Sequence, residues 1–272
     1  MSLAGVKSVG PDADGFESKR RYGVGSVIAT SWRAFGSLLV LLVVWEAVGR
    51  ASDVVWLPPV SKVVIQLVEL FATGELSTHL FASLSSLAIG FSLSLIIGLV
   101  VGVLMGLFPS VYTALDVYVN AMLFAPSLIF APIFFAIFGL SDATRISVVV
   151  MYTVFVIIIN TATAVRDVEA PLLEMSAVFG ANRWKTLRKI VIPASYPLVI
   201  AGLRLGAGRA VKGMINGEIF IALVGIGGLA AKYGKAYDFV SLWAISLFIM
   251  ILAVVINLVV SWLEKRLTSW VE

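Results

Sequence analysis

Long runs without a single charge constrain this chain more than any motif in it. Positions 80–108 and 240–263 contain no charged residue. A helix of about 20 apolar residues crosses a bilayer, and inside lipid a helix satisfies its own backbone polar groups. Four further apolar segments, at 34–48, 114–138, 146–165 and 194–224, give an all-α polytopic membrane protein with about six transmembrane helices. With 60% hydrophobic and 13% charged residues in 272, six spans and short connections use up the length, and no soluble catalytic domain fits. The net charge of +4 comes from residues at membrane edges, so it does not call for nucleic acid. There is no cysteine and one histidine, His79, which leaves no thiolate or histidine metal site and no serine–histidine triad. Residues 1–33 are polar and carry Lys19, Arg20, Arg21 and Arg33 instead of the apolar core of a signal peptide. They are expected to be a loosely ordered tail ahead of a membrane domain at 34–272.

Within the second span, Ser86, Gly90, Ser94, Gly98, Gly102 and Gly106 recur every fourth residue. In lipid, helices associate by close approach, and a stripe of small residues permits it. Gly90, Gly98, Gly102 and Gly106 are therefore expected to pack helices, and the drift of a fourfold repeat on a 3.6-residue turn would bring the stripe to more than one neighbour. After Pro58-Pro59, apolar residues from Val60 to Phe71 recur at helical spacing. They form an amphipathic helix at the membrane surface or against other spans. The glycine-rich IGGLAAKYG near the chain's end reads as a turn outside the membrane; it follows a helix instead of a strand and lacks a nucleotide-loop pattern.

The one long polar stretch between spans, from Glu174 to Pro193, reads EMSAVFGANRWKTLRKIVIP. Leu172, Leu173, Met175, Ala177, Val178 and Phe179 make an apolar helix surface beside Arg183, Lys185, Arg188 and Lys189. An apolar face in water needs a partner. Gly180 permits a sharp turn between two short helices, Asn182 has the side chain of an N-cap, and Pro193 with Pro197 marks the return to the membrane.

This spacing resembles the cytoplasmic loop of ABC importer permeases, in which E-A-A, three residues, Gly, nine residues and I-x-L-P form the docking site for an ATPase. Glu174, Gly180, Ile190 and Pro193 are in register, with Met175 and Ser176 for the alanines and Ile192 for the leucine. Nearly everything after residue 55 is similar to the permeases of sulfonate, nitrate, bicarbonate and thiamine-precursor uptake, including Trp56-Leu57-Pro58-Pro59, Asn160-Thr161, Gly202-Leu203-Arg204, Glu218 and Leu263-Glu264. The resemblance implies a type I importer permease fold with a docking loop at 166–193, in which Glu174, Met175, Ser176, Phe179, Gly180, Ala181, Asn182, Arg183 and Pro193 meet the ATPase. It also implies two separate ATPase subunits that hold ATP and Mg, a second copy of the permease, an external solute-binding protein and a bacterial inner membrane. The chain itself lacks a G-x-x-x-x-G-K-[ST] loop, holds no cofactor and has no catalytic residue. Lys and Arg are more numerous on the tail, docking-loop and C-terminal side than on the side of Arg50, Lys62, Arg145, Lys232 and Lys235, which predicts that both termini are cytoplasmic.

Charges inside spans mark pathways or pair with each other. Arg204, Arg209 and Lys212 lie about 15–27 Å along the fifth span. Arg209 and Lys212, with Asn160, Asn216 and Glu218, are the candidates for lining a pathway that favours a small organic or inorganic anion. The competing reading pairs these cations with acidic residues such as Glu218 or Glu46, or lets them snorkel to an edge. An ATP-independent channel or secondary carrier is the alternative function, and an intramembrane enzyme a more remote one.

Overall fold

A computed structural model describes residues 24–52, 54–221 and 224–268, and these are helical nearly throughout. The helices are α1 (Val24–Ala51), α2 (Val60–Ala72), α3 (Glu75–Leu107), α4 (Pro109–Phe124), α5 (Ala131–Phe138), α6 (Asp142–Arg166), α7 (Ala170–Val178), α8 (Arg183–Thr186), α9 (Ile192–Ile221), α10 (Gly225–Lys235) and α11 (Phe239–Thr268). Among the described residues four helices are long and apolar enough to cross a membrane, or five if the bent pair α4–α5 counts as one span. Helix α1 begins within the stretch read as tail and is longer at both ends than the expected span; its side chains before Gly36, and residues 1–23, lie outside the described residues.

Helix α6 is the centre of the bundle: 61% of its most apolar stretch is buried, against 22% for α3 and α11. Its branched side chains fill grooves that glycines leave open on both sides. A Cβ at Gly90, Gly98, Gly102 or Gly106 of α3 would come within 2.5–2.7 Å of Val149, Ile157, Thr161 or Val165. On α9, Gly202, Gly206, Gly213 and Gly217 face Asn160, Ile157, Tyr152 and Val148. The four glycines of the α3 stripe thus face one neighbour, not several as expected. A contact repeat longer than 3.6 residues stays on one partner when two helices wind around each other in the right-handed sense, and the drift is then removed.

Three further expectations need correction. Segment 114–138 is not one straight span: Ala125 is extended ahead of Pro126, a 3₁₀ turn covers Ser127–Phe130, and the axis bends by 95°. Proline removes a donor and disfavours the helical conformation in the residue before it. Pro193 does not end the docking loop; it lies in the first turn of α9, which also continues through Pro197. A π turn at Leu187–Val191 joins α8 to α9, so Arg183–Ile221 forms one run of 39 helical residues. The IGGLAAKYG segment is no turn: Gly225 to Ala230 are buried within α10, which packs its Ile226 and Leu229 among Val63, Leu76 and Ile245. Helix α2 takes the second of its two expected settings, with Val63 and Leu70 buried in that same cluster.

A side chain at Gly102 would meet Thr161 Cβ at 2.6 Å and the Ile158 carbonyl at 2.8 Å, neither of which is a flexible end. Gly102→Val should therefore destabilise the chain by about 1–3 kcal/mol, as overpacking does. Gly36→Val, with open space around it, is the control. Thermal midpoints of the two detergent-solubilised variants would show the difference.

Candidate functional site

At one end of the bundle α7 and α8 form a corner whose geometry follows from its sequence. Gly180 stands at φ +68 and ends α7: its N–H reaches the Ala177 carbonyl at 3.0 Å and the Ala181 N–H reaches Ser176 at 2.9 Å. This paired closure needs the left-handed conformation that glycine adopts without strain. Asn182 then starts α8, its side chain accepting from the Lys185 N–H at 2.8 Å. A contact of 3.1 Å between the Ser176 and Thr186 hydroxyls ties the two helices together. Val165, Val168 and Val191 pack the corner onto the ends of α6 and α9.

The outer face of this corner is apolar and bare. Met175, Val178 and Phe179 are 51%, 85% and 82% exposed, and Trp184, which sequence reasoning passed over, is 66% exposed. Met175, Ser176, Phe179, Gly180, Ala181, Lys185, Lys189 and Ile190 line a dent of about 240 Å³. Glu174 and Arg183 are exposed beside it. Among the predicted docking residues Pro193 alone stands apart, inside α9.

About midway along α9 a cleft of about 840 Å³ opens between α6, α9 and α11. Asn160, Arg204, Arg209, Lys212, Asn257 and Glu264 supply its polar lining. Arg204 pairs with Glu264 at 3.3 Å. The expected pairing with acidic residues is thus met by Arg204, whereas Arg209 and Lys212 have no ion pair with Glu218, Glu46 or any other described residue. Glu46 accepts from Arg50 and from both the N–H and the hydroxyl of Ser61.

Two predicted pathway residues lie elsewhere. Asn216 donates to the Tyr152 hydroxyl at 2.9 Å. Glu218 is fully buried, 3.7 Å from Arg145. Arg145, counted among the external charges, is therefore a core residue. Asn257 was missed, although an asparagine in the uncharged run of α11 is itself a signal. No group of three His, Asp or Glu able to hold a metal occurs among the described residues.

The sequence profile of a family described as "Binding-protein-dependent transport system inner membrane component" matches residues 94–271. The riboflavin transport system permease protein RibX of Chloroflexus aurantiacus is 32% identical, over 91% of this chain and 94% of its own. The putative aliphatic sulfonates transport permease protein SsuC of Bacillus subtilis is 29% identical, over 85% and 84%. The taurine transport system permease protein TauC of Escherichia coli is 26% identical, over 87% and 89%. Among solved structures, an inward-facing MetNI methionine ABC transporter matches with a TM-score of 0.61 at 19% identity, covering 68% of this chain and 93% of that one; at this identity the likeness is one of fold. The chain belongs to the binding-protein-dependent inner membrane component family. It is a multi-pass permease subunit of an ABC importer.

Proposed function

We propose that two copies of this permease enclose a pathway for a small anion, and that each copy receives an ATPase subunit on its α7–α8 corner. One observation carries the reading: the helical run Arg183–Ile221 begins in the bare apolar corner and, without a break, carries the cations of the cleft. At 1.5 Å per residue it is about 58 Å long. A push on one end of such a rod moves the other end as a rigid body.

The corner supplies the docking face. Phe179, Val178 and Trp184 are exposed beside the charged Arg183, Lys185, Arg188 and Lys189, and exposed apolar surface in water calls for a protein partner. Lys185 and Lys189 on its rim would steer an acidic partner surface. With the corner in the cytoplasm, where ATP is, both termini lie on that side of a bacterial inner membrane. A solute-binding protein would then meet the opposite end, near Trp56 and Tyr237.

The cleft supplies the selectivity. Arg209 and Lys212 carry two positive charges that have no ion-pair partner among the described residues, and Asn160 and Asn257 add amide donors. A second copy facing this open side would enclose the cleft and double the charge. An anion with several acceptor oxygens, such as a sulfonate or carboxylate, matches that lining. Two of the relatives carry the names of sulfonate-type solutes, which agrees with this reading; the riboflavin relative shows that the fold also serves other solutes.

The test is ATP-driven uptake in vesicles holding this chain with its ATPase and binding protein. Lys212→Met should lower uptake of the anion about tenfold, equivalent to about 1.4 kcal/mol, while the copies still assemble. Normal uptake by this variant, or a cationic solute on the binding protein, would overturn the anion assignment.

Docking has its own graded test at Gly180. A Cβ there meets nothing within 4 Å, so any penalty comes from the left-handed backbone, about 1–2 kcal/mol. ATPase retention on the solubilised permease should fall in the order Gly, Asn, Ala, Val, since asparagine tolerates this region best and β-branched residues least. Equal retention across the series would refute the corner as the docking face.

The enclosed pathway predicts two copies of this chain per assembly. Native mass measurement of the purified complex checks it; a single copy, alone or beside a different permease, would refute the homodimer.

A further inference from the structure

Glu218 stands on α9 beyond Lys212, on a face that turns away from the cleft and into the bundle. Its Oε2 accepts the Ser83 hydroxyl at 2.9 Å and the Gly227 N–H at 3.0 Å. The Ser83 oxygen in turn accepts the Ile226 N–H at 2.9 Å. These two N–H groups belong to the first turn of α10, where a helix has no internal acceptors for them. The carboxylate and the serine hydroxyl thus cap α10 together, with negative charge at the positive end of the helix. Gly225, at φ +88, passes so close to the carboxylate that any side chain there would collide with it. Oε1 faces Nη1 of Arg145 at 3.7 Å. Arg145 also donates to Asp142 and, at 3.4 Å, to the Ala82 carbonyl.

One fully buried carboxylate therefore joins four helices: α9 by its own backbone, α10 by its first turn, α3 through Ser83 and α6 through Arg145. Removing the carboxylate would leave the buried Arg145 with Asp142 as its one remaining counter-charge among the described residues, and the Gly227 N–H of α10 without its cap, which is costly. The exposed pairs elsewhere, such as Glu75 with Lys232, are worth far less. The joint also sits at the end of the chain remote from the docking corner. Arg145 is in the first turn of α6, and Arg166, in its last turn beside the corner, is about 32 Å away along the helix.

We propose that Glu218 is a positioning residue for transport: it makes α10 and the adjoining ends of α3 and α6 move as one body with α9. A displacement applied at the α7–α8 corner then reaches the opposite end of the molecule through the continuous α8–α9 run instead of being absorbed between helices. This rests on the reading that the corner receives the ATPase.

Two experiments on the reconstituted complex test it, both beginning from ATP-driven uptake by the unmodified transporter. Its absence would overturn the coupling reading itself and this proposal with it. Glu218→Gln keeps the size of the side chain and removes the charge opposite Arg145. Solute imported per ATP hydrolysed should fall about tenfold or more while the ATPase stays attached and active. An unchanged ratio would overturn the proposal, because a side chain that only filled space would be replaced without loss.

The second experiment does not depend on how that variant folds. The chain has no cysteine, so Glu75→Cys and Lys232→Cys give each permease copy its only two thiols, on α3 and α10, where the native side chains meet at 2.8 Å. Bridging them with a short, reducible bifunctional thiol reagent should leave uptake within about twofold of the unbridged pair, since the two helices do not part during transport. Loss of uptake on bridging, regained on reduction, would show that α10 leaves α3 in the cycle and would overturn the single-body proposal.

Discussion

The bundle depends on how closely α3 and α9 approach α6. Glycines on both outer helices remove the side chains that would hold the backbones apart, and α6 fills the space with Val148, Val149, Ile157, Thr161 and Val165. In water such contacts would be driven by burial of apolar surface; in lipid that drive is absent, and contact area and fit must supply the association. Branched side chains serve this well because they have little rotamer freedom to lose. Everything functional is hung on this three-helix slab: the cleft opens on the side of α9 away from α3, and the docking corner continues from the ends of α6 and α9.

The slab also explains why the docking corner is geometrically fixed although it lies outside it. Val165 and Val168 at the end of α6 close on Val191 at the start of the α9 run, and the hydroxyl contact of Ser176 with Thr186 locks α7 against α8. The corner therefore has no hinge of its own between the patch and the membrane helices. The π turn at Leu187–Val191 is an irregularity in the run, as is Pro197 within α9. The π turn lies just before Pro193, where the regular ladder already lacks a donor.

How far these features could be read in the sequence follows from the range over which their causes act. The turn at Gly180 and the cap at Asn182 were legible because helix caps and turns are local: each sets its own backbone and bonds within five residues, whereas the continuation of the helix through Pro193 was not. The apolar spans were legible because hydropathy sums over one helix. The bend at Ala125–Pro126 was not, since a sum over 114–138 is the same for a straight helix and a broken one, although Pro126 and Pro132 were there to be weighed. The IGGLAAKYG segment misled because glycine favours turns only where nothing compensates its freedom; here Ile215 and Glu218 press on Gly227, and close packing outweighs propensity. Glu218 itself could be seen as an intramembrane charge. Its partners Arg145 and Ser83 are far away in sequence, with no spacing rule to connect them.

The intramembrane charges divide into two kinds, and the division follows from solvation. Arg145 and Glu218 are removed from water, and each is matched by an opposite charge and by hydrogen bonds from neighbouring helices. Buried ions persist only with such matching. Among the described residues Arg209 and Lys212 have no such match, and they border an open cleft in which water or a bound anion can solvate them. Arg204 lies between the two kinds: it borders the cleft, yet Glu264 from α11 partly neutralises it. One helix thus presents uncompensated positive charge along the cleft and a compensated negative charge to the core. The pairing tells the two apart: where the fold supplies no counter-charge to a membrane cation, the solvent or the solute must supply it.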